Sequence, residues 1–273
     1  MHTRIVIIGA SGRMGQALVR VAPEFPTARI TGAVASAGSG SLGRDAGMLA
    51  GVDPLGVEIT GDLGTALAAA DVVVDFSQPH ATRANLAACR AARTPLLIGT
   101  TGLPAELTEA ELDTAAREIP VLIAPNTSLG IALLVDLVRR ATRALPPEFD
   151  IEIIEAHHRM KRDAPSGTAV TLARAAGEER GLAPPEALPG SSAQRMGPRP
   201  AGEIGFAVVR GGDIIGEHTV LFAGPGEELR LSHRAADRAL FARGALRAAL
   251  WLQGRPAGRY GMSDIVHADH ALR

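Results

Sequence analysis

The sequence predicts an α/β chain in which a doubly wound parallel sheet is followed by a second domain of α+β type. Three observations carry this expectation. Short Val/Ile-rich runs alternate with Ala-rich helical segments from Arg4 to Ala124. A glycine turn, Gly9-Ala10-Ser11-Gly12-Arg13-Met14-Gly15, lies between the first such strand and the first helix. After Pro146-Pro147 the alternation gives way to consecutive strands joined by short turns.

The elements follow in order. Arg4 to Ile8 is a β-branched run, and Ala17, Leu18, Val21 and Ala22 recur with helical spacing behind the glycines. Ala28 to Ala35 reads as a second strand and Val57-Glu58-Ile59 as a short third. Asp62 can cap a helix from Leu63 to Ala70. Asp71 to Phe76 is a near-continuous apolar strand, suited to a sheet covered on both faces. Helices are expected over Gln78 to Ala91 and Glu106 to Arg117, and strands over Pro95 to Ile98 and Pro120 to Ala124. A helix from Leu129 to Leu145 stops at the two prolines. Phe149, Ile151 and Ile153 then alternate along a strand, and Pro165-Ser166-Gly167-Thr168 opens a helix reaching about Glu179. Gly181 to Gly202 is rich in Pro, Gly, Ser and Ala and reads as a long loop. Strands follow over Gly205 to Arg210, Ile214 to Phe222 and Glu228 to Ser232. Gly211-Gly212-Asp213 reads as a hairpin and Gly224-Pro225-Gly226 as a second turn. Arg238 to Leu252 is helical. The domains are therefore 1–127, completed by 240–273, and 128–239.

The chain has 273 residues, 46% of them hydrophobic, enough for two cores. Charged residues make up 21% and the formal net charge is -1, which argues against disorder and gives no electrostatic reason for a nucleic-acid partner. The single cysteine, Cys89, forms no intrachain disulfide and reads as a buried thiol. No charged region followed by an apolar stretch and a cleavage site stands before the first strand, and no apolar stretch reaches spanning length, so a cytoplasmic protein without a signal peptide or a membrane partner is expected.

Gly9, Gly12 and Gly15 give G-x-x-G-x-x-G, a variant of the dinucleotide fingerprint of Rossmann-like sheets. Small residues let backbone approach a pyrophosphate, and the helix start aligns N–H groups toward it. The pattern alone is weak; its position between strand and helix strengthens it. The acid that would hold the adenosine ribose is missing, because the second strand ends Ala35-Ser36-Ala37-Gly38. Its absence removes a repulsion toward a 2′-phosphate that Arg13 could contact, which favours NADPH slightly over NADH. Arg44 is a weaker candidate for that contact. The other strand ends, Asp75-Phe76-Ser77, Gly99-Thr100-Thr101-Gly102 and Ala124-Pro125-Asn126-Thr127, point to the same ligand edge. Phe76 fits either beside the nicotinamide or in the core.

His157, His158 and Lys161 crowd one strand end, with Arg159, Arg162 and Asp163 among them. Like charges there repel, and a substrate bearing carboxylates would give them a reason. A histidine can donate a proton near neutrality, a lysine can stabilise a developing anion, and Gly167-Thr168 at a helix start offers N–H groups and a hydroxyl to a carboxylate. Adjacent histidines on a strand point to opposite faces, so no metal site is expected. Glu155 either orients a histidine or pairs with Arg159. His218 and His233 read as structural or satellite residues.

The segment Glu155-Ala156-His157-His158-Arg159-Met160-Lys161-Arg162-Asp163-Ala164-Pro165-Ser166-Gly167-Thr168-Ala169 resembles the signature of the bacterial dihydrodipicolinate reductases, also called 4-hydroxy-tetrahydrodipicolinate reductases. The resemblance extends to the glycine turn, to Asp75-Phe76-Ser77, Gly99 to Gly102, Asn126-Thr127-Ser128 and Gly211 to Thr219, and into Ala248 to Leu252, so it covers nearly the whole chain. It implies NAD(P)H-dependent reduction of a cyclic dicarboxylate in lysine and diaminopimelate biosynthesis, with loss of water. It implies His157 as proton donor, Lys161 as its assistant or a substrate contact, and His158, Gly167 and Thr168 as carboxylate contacts. It implies cofactor contacts at Gly9, Ala10, Ser11, Gly12, Arg13 and Met14, at Gly99, Thr100 and Thr101, and at Ala124, Pro125, Asn126 and Thr127. It also implies a cytoplasmic homotetramer built through the second, substrate-binding domain. The sequence departs from the family pattern at the missing acid and its following basic residue, and at Thr127, where an aromatic is frequent. Two rival classes are a related two-domain dehydrogenase and a non-catalytic nucleotide sensor. The joint occurrence of two histidines, a lysine and the Gly-Thr turn argues against both.

Overall fold

The computed structural model describes residues 2–68, 70–103, 107–182 and 197–268. The chain divides into two units, Met1–Leu129 with Ala239–Arg273, and Gly130–Arg238.

The first unit is built on β1 (Thr3–Ile8), α1 (Arg13–Val21), β2 (Ala28–Val34), α2 (Ala46–Ala50), β3 (Ile59–Thr60), α3 (Leu63–Leu67), β4 (Val72–Asp75), α4 (Pro79–Ala91), β5 (Leu96–Ile98), α5 (Glu109–Ala116) and β6 (Pro120–Ile123). After the second unit, α8 (Ala239–Leu252), β11 (Gly258–Tyr260) and α9 (Met262–Ala268) return to it. The strands form one seven-stranded sheet in the order β11-β6-β5-β4-β1-β2-β3. Every pairing in it is parallel. The order reverses between β1 and β4, so their carboxyl ends open the crevice where doubly wound sheets take ligands.

Both sheet faces are covered, which is why the strands read as continuous apolar runs. On one face Val6, Ile8, Val73 and Ile98 pack with Leu86 and Cys89 of α4 and Leu112 of α5. On the other, α8 lies against α1, β4 and β5. The Cys89 thiol is buried, and that burial pushes its pKa up to about 12. Helix starts follow the capping chemistry of the sequence: Asp62 accepts from Thr65 N, and Thr108 with Glu111 forms a capping box. The expected strand at Val57 to Ile59 is Ile59–Thr60, while Val57 N donates instead to the Asp45 carboxylate that caps α2.

The second unit contains α6 (Leu129–Ala144), β7 (Asp150–His157), α7 (Gly167–Glu179), β8 (Ile204–Arg210), β9 (Gly216–Gly224) and β10 (Glu227–Ala235). Its sheet runs β10-β9-β7-β8, with β8 parallel to β7 and the other pairings antiparallel. Ile151, Ile153, Phe206, Val220 and Phe222 face α6 and α7 in a core that includes Val138 and Leu172. The expected loop from Gly181 to Gly202 falls largely on residues 183–196, which lie outside the described residues.

Gly211-Gly212-Asp213 does not close a hairpin. β7 lies between β8 and β9, so this segment crosses the carboxyl end of β7. Gly211 N donates to His157 O at 3.0 Å, and Gly212 O accepts from Arg159 N at 3.2 Å. A glycine turn serves a hairpin or a crossing equally well; only strand register separates them. Pro225-Gly226 does join two paired strands, with Gly224 opposite Glu227 and Gly226 at φ +81°.

One contact ties the returning helix to the sheet. A Cβ on Gly244 of α8 would stand 1.8 Å from Thr127 O, a backbone atom. Gly244→Ala should therefore lower the urea midpoint by the equivalent of about 1–3 kcal/mol, the usual cost of overpacking. An unchanged midpoint would show that the helix seats differently.

Candidate active site

Two sites can be built, one within each unit. In the first unit, a cavity of about 450 Å³ lies at the carboxyl edge of the sheet, a size proper to a small-molecule site. Gly12, Arg13 and Met14 from the turn after β1 line it, with Phe76, Ser77 and Gln78 after β4. Gly99, Thr100 and Thr101 after β5 and Pro125, Asn126 and Thr127 after β6 complete that edge, and Phe241 of α8 adds a further wall.

The glycines are required by close approach. Gly9 stands at φ +81°, and a Cβ there would meet Phe76 O at 2.5 Å; one on Gly15 would meet Gly9 O at 2.3 Å. A Cβ on Gly99 would fall 2.3 Å from the Phe76 ring, so that ring lies directly against Gly99. The loop after β4 is held from below. Buried Asp75 accepts from Ser77 N at 2.8 Å and from Asn85 Nδ2 at 2.9 Å. A narrow glycine turn at a helix start, facing three other strand ends, fits a dinucleotide.

Four residues expected at the cofactor do not line the cavity: Gly9, Ala10, Ser11 and Ala124. Gly9 N and Ala10 N both donate to Val34 O, at 2.9 and 3.0 Å, so these amides shape the turn instead of facing outward. Ser11 O accepts from Gln16 Nε2 at 2.9 Å, and Ala124 N donates to Ile98 O at 2.9 Å. Sequence reasoning missed Phe241 and Gln78. Thr127 donates from Oγ1 to Phe241 O at 2.6 Å and so tethers the helix that brings an aromatic to the wall.

In the second unit, strand alternation puts Glu155 and His157 on the helix-covered face of β7, beyond Ile151 and Ile153. Both are buried. His157 Nδ1 lies 2.6 Å from Glu155 Oε2. Glu155 also takes Arg210 in a two-point contact, NH1 to Oε2 and NH2 to Oε1, each 2.7 Å. Its Oε1 accepts from Ser166 N at 3.1 Å. The pairing considered with Arg159 is made with Arg210 instead, 55 residues away on β8, whose last residue stands opposite His157.

His218 of β9 meets His157 edge-on, ring centroids 5.1 Å apart, and its Nε2 lies 3.0 Å from Ser166 Oγ. Ser166 caps α7 by accepting from Ala169 N, and Gly167 and Thr168 form the first turn of that helix. Lys161, on the loop after β7, bonds Asp163 Oδ2 at 2.8 Å. His158 follows the last residue of β7, half-buried. His157 and the α7 start are thus tied together through Glu155 and Ser166. Arg210 was not singled out by sequence reasoning, while Ser166 was read at the opening of a helix and His218 as a structural or satellite residue; the register of β7 with β8 and β9 brings Arg210 and His218 to the site, and the start of α7 brings Ser166.

Burial lowers the His157 pKa, Glu155 raises it, and Lys161 and Arg210 oppose Glu155, leaving it below the ordinary value. Burial raises the Glu155 pKa, but the bonds from Arg210 and His157 outweigh it and hold the carboxyl below its usual range. His218 is pushed down to about 4, first by burial and then by His157.

Models of the family described as dihydrodipicolinate reductase match both parts, the N-terminus over residues 3–127 and the C-terminus over residues 130–266. The chain belongs to the dihydrodipicolinate reductase family. It is 48% identical over 264 residues to a 4-hydroxy-tetrahydrodipicolinate reductase of Anaeromyxobacter dehalogenans, covering 97% of each chain. It is 50% identical over 266 residues to one from Alkalilimnicola ehrlichii, covering 97% of this chain and 99% of the relative. Among solved structures, a dipicolinate-bound dihydrodipicolinate reductase from Paenisporosarcina sp. TG-14 superposes with a TM-score of 0.77 at 26% identity, covering 97% of this chain and all of that one. An amine dehydrogenase from Mycobacterium smegmatis shares the fold, with a TM-score of 0.68 at 14% identity over 96% of each chain.

The histidines make stability depend on pH. In the unfolded chain His218 takes up a proton near 6.5, whereas in the fold it does so only at about 4. The unfolded state therefore binds more protons between these values, and acidification through that window favours unfolding by up to about 1.4 kcal/mol per pH unit. Urea midpoints should fall from pH 6.5 to 4.5 and fall less steeply in His218→Phe. Equal slopes in the two proteins would show that His218 does not supply the effect.

Proposed function

We propose that this chain is a 4-hydroxy-tetrahydrodipicolinate reductase. It converts (2S,4S)-4-hydroxy-2,3,4,5-tetrahydrodipicolinate to (S)-2,3,4,5-tetrahydrodipicolinate with NAD(P)H and release of water, in lysine and diaminopimelate biosynthesis. The observation that carries the reading is a buried histidine at a strand end, tied to a helix N-terminus, in a chain whose other unit holds a dinucleotide cradle. Relatives carrying that name align over nearly the full chain.

Gly12, Arg13, Met14, Gly99, Thr100, Thr101, Pro125, Asn126 and Thr127 would hold the dinucleotide, with Gly9, Ala10, Ser11 and Ala124 shaping the turns behind them. When bound, it supplies a hydride to ring carbon C4 of the dehydrated, conjugated substrate. The electron pair that shifts to the neighbouring ring carbon takes a proton, and His157 gives it. Lys161 offsets the negative charge that develops on the ring and assists that proton transfer. His158 and the first turn of α7 at Gly167 and Thr168 bind a ring carboxylate, where the helix end favours an anion. Released water leaves with the 4-hydroxyl oxygen, so the reaction consumes one hydride and one proton per turnover.

NADPH is the favoured cofactor, because no carboxylate follows β2 and Arg13 lies exposed on the cavity wall. The protein works in the cytoplasm as a homotetramer formed through the second unit. The face of its sheet opposite α6 and α7 presents Ile154, Ala207 and Leu221, with Val209 49% exposed, an apolar surface suited to a second copy.

A coupled assay with freshly generated substrate should show substrate-dependent oxidation of NADPH, and more slowly of NADH. No oxidation with either would overturn the assignment. His157→Ala should lower kcat by about 10²- to 10⁴-fold while cofactor affinity stays near wild type. Equal loss of both would remove the proton-donor role. Arg13→Ala should weaken NADPH more than NADH; equal weakening would exclude a phosphate contact there.

A further inference from the structure

His157 has two ring nitrogens, and the chemistry depends on which one faces substrate with the proton. Nδ1 is taken by Glu155 Oε2 at 2.6 Å. Nε2 points the other way, toward Gly216, where a Cβ would stand 3.1 Å from it. Any side chain at position 216 would crowd that nitrogen.

Glu155 has no room for a proton of its own. Oε1 faces Arg210 NH2 and Ser166 N, and Oε2 faces Arg210 NH1 and His157 Nδ1. Three of these four neighbours are obligate donors. A protonated carboxyl would have to turn its hydrogen toward one of them or take the place of the Nδ1 hydrogen. Arg210 is itself fixed, donating from NH2 to Asp163 O at 2.7 Å and from NH1 to Val209 O at 2.8 Å. The clamp therefore stays in register whether or not the imidazole is charged.

We propose that Glu155 is the positioning residue for His157, holding the hydrogen on Nδ1 so that Nε2 exchanges the proton with substrate, and that Arg210 keeps Glu155 in the acceptor-only state this requires. The proposal rests on His157 being the proton donor and adds how the ring is set. The groups facing the ring on each element agree with it. Glu155 lies on the same strand, Arg210 on β8, His218 on β9 with His233 opposite it on β10, and Lys161 on the following loop. Of the charged groups acting on His157, Glu155 alone favours the imidazolium; burial, Lys161 and Arg210 oppose it.

The pairing can be read without turnover. Nitrogen-15 NMR of the histidine rings in the wild-type protein should show neutral His157 as the Nδ1–H tautomer. An Nε2–H tautomer would overturn the proposal. Arg210→Gln should reduce the Nδ1–H population, and an unchanged tautomer would remove Arg210 from it. In turnover, Glu155→Gln should move the alkaline limb of the kcat profile to lower pH by about one to three units. That is about a tenfold loss per unit at a fixed pH above the limb, with KM for NADPH changing far less. Glu155→Asp should recover part of the shift. A kcat lowered by one factor at every pH, with the limb in place, would make Glu155 a structural residue only. If His157→Ala keeps its turnover, the donor assignment fails, while the NMR result still decides whether Glu155 sets the ring.

Discussion

The second unit depends on one ion pair. Glu155, wholly buried, and Arg210 meet across parallel strands β7 and β8 in a two-point contact. Removing Arg210 would leave the buried Glu155 carboxylate without its cation, a loss of about 3–5 kcal/mol. The same carboxylate joins His157 to Ser166, and so to the helix that offers Gly167 and Thr168. Arg210 carries the constraint outward, because its bond to Asp163 O anchors the loop bearing Lys161. Histidine, helix start and lysine loop are thereby held through one buried group.

The first unit achieves its order differently. There, precision comes from the absence of side chains. Gly9, Gly15 and Gly99 let backbone and a phenyl ring come closer than any Cβ would permit, and Gly244 does the same between α8 and the end of β6. Asp75, though at a strand end facing the cavity edge, spends its carboxylate on the loop beneath it.

Much of this was legible in the sequence, and the failures have physical reasons. The long apolar strands and the capped helices declared themselves, because period and cap are local properties. The His-His-Lys cluster stood out because repelling charges at a strand end need a partner. By contrast β11, α9 and α2 are too short to show a period. The role of Gly211-Gly212 could not be read, since a turn does not reveal which strand lies between its neighbours. Arg210 stayed hidden for the same reason: its partner is chosen by register, a long-range property. The committed amides of Gly9 and Ala10 belong to the same class, as their acceptor is on β2.

The crossing of Gly211 and Gly212 over the end of β7 also bears on how this site can change over evolution. Side chains on a strand alternate between faces, so what matters for Arg210 is the parity of its position along β8. One residue inserted within β8 would present the guanidinium to the far face and bring its neighbour under His157, with the sheet otherwise whole. Two residues would restore the face. Length variation in this strand is therefore filtered by odd and even, a restriction that no single contact expresses and that substitution alone cannot relieve.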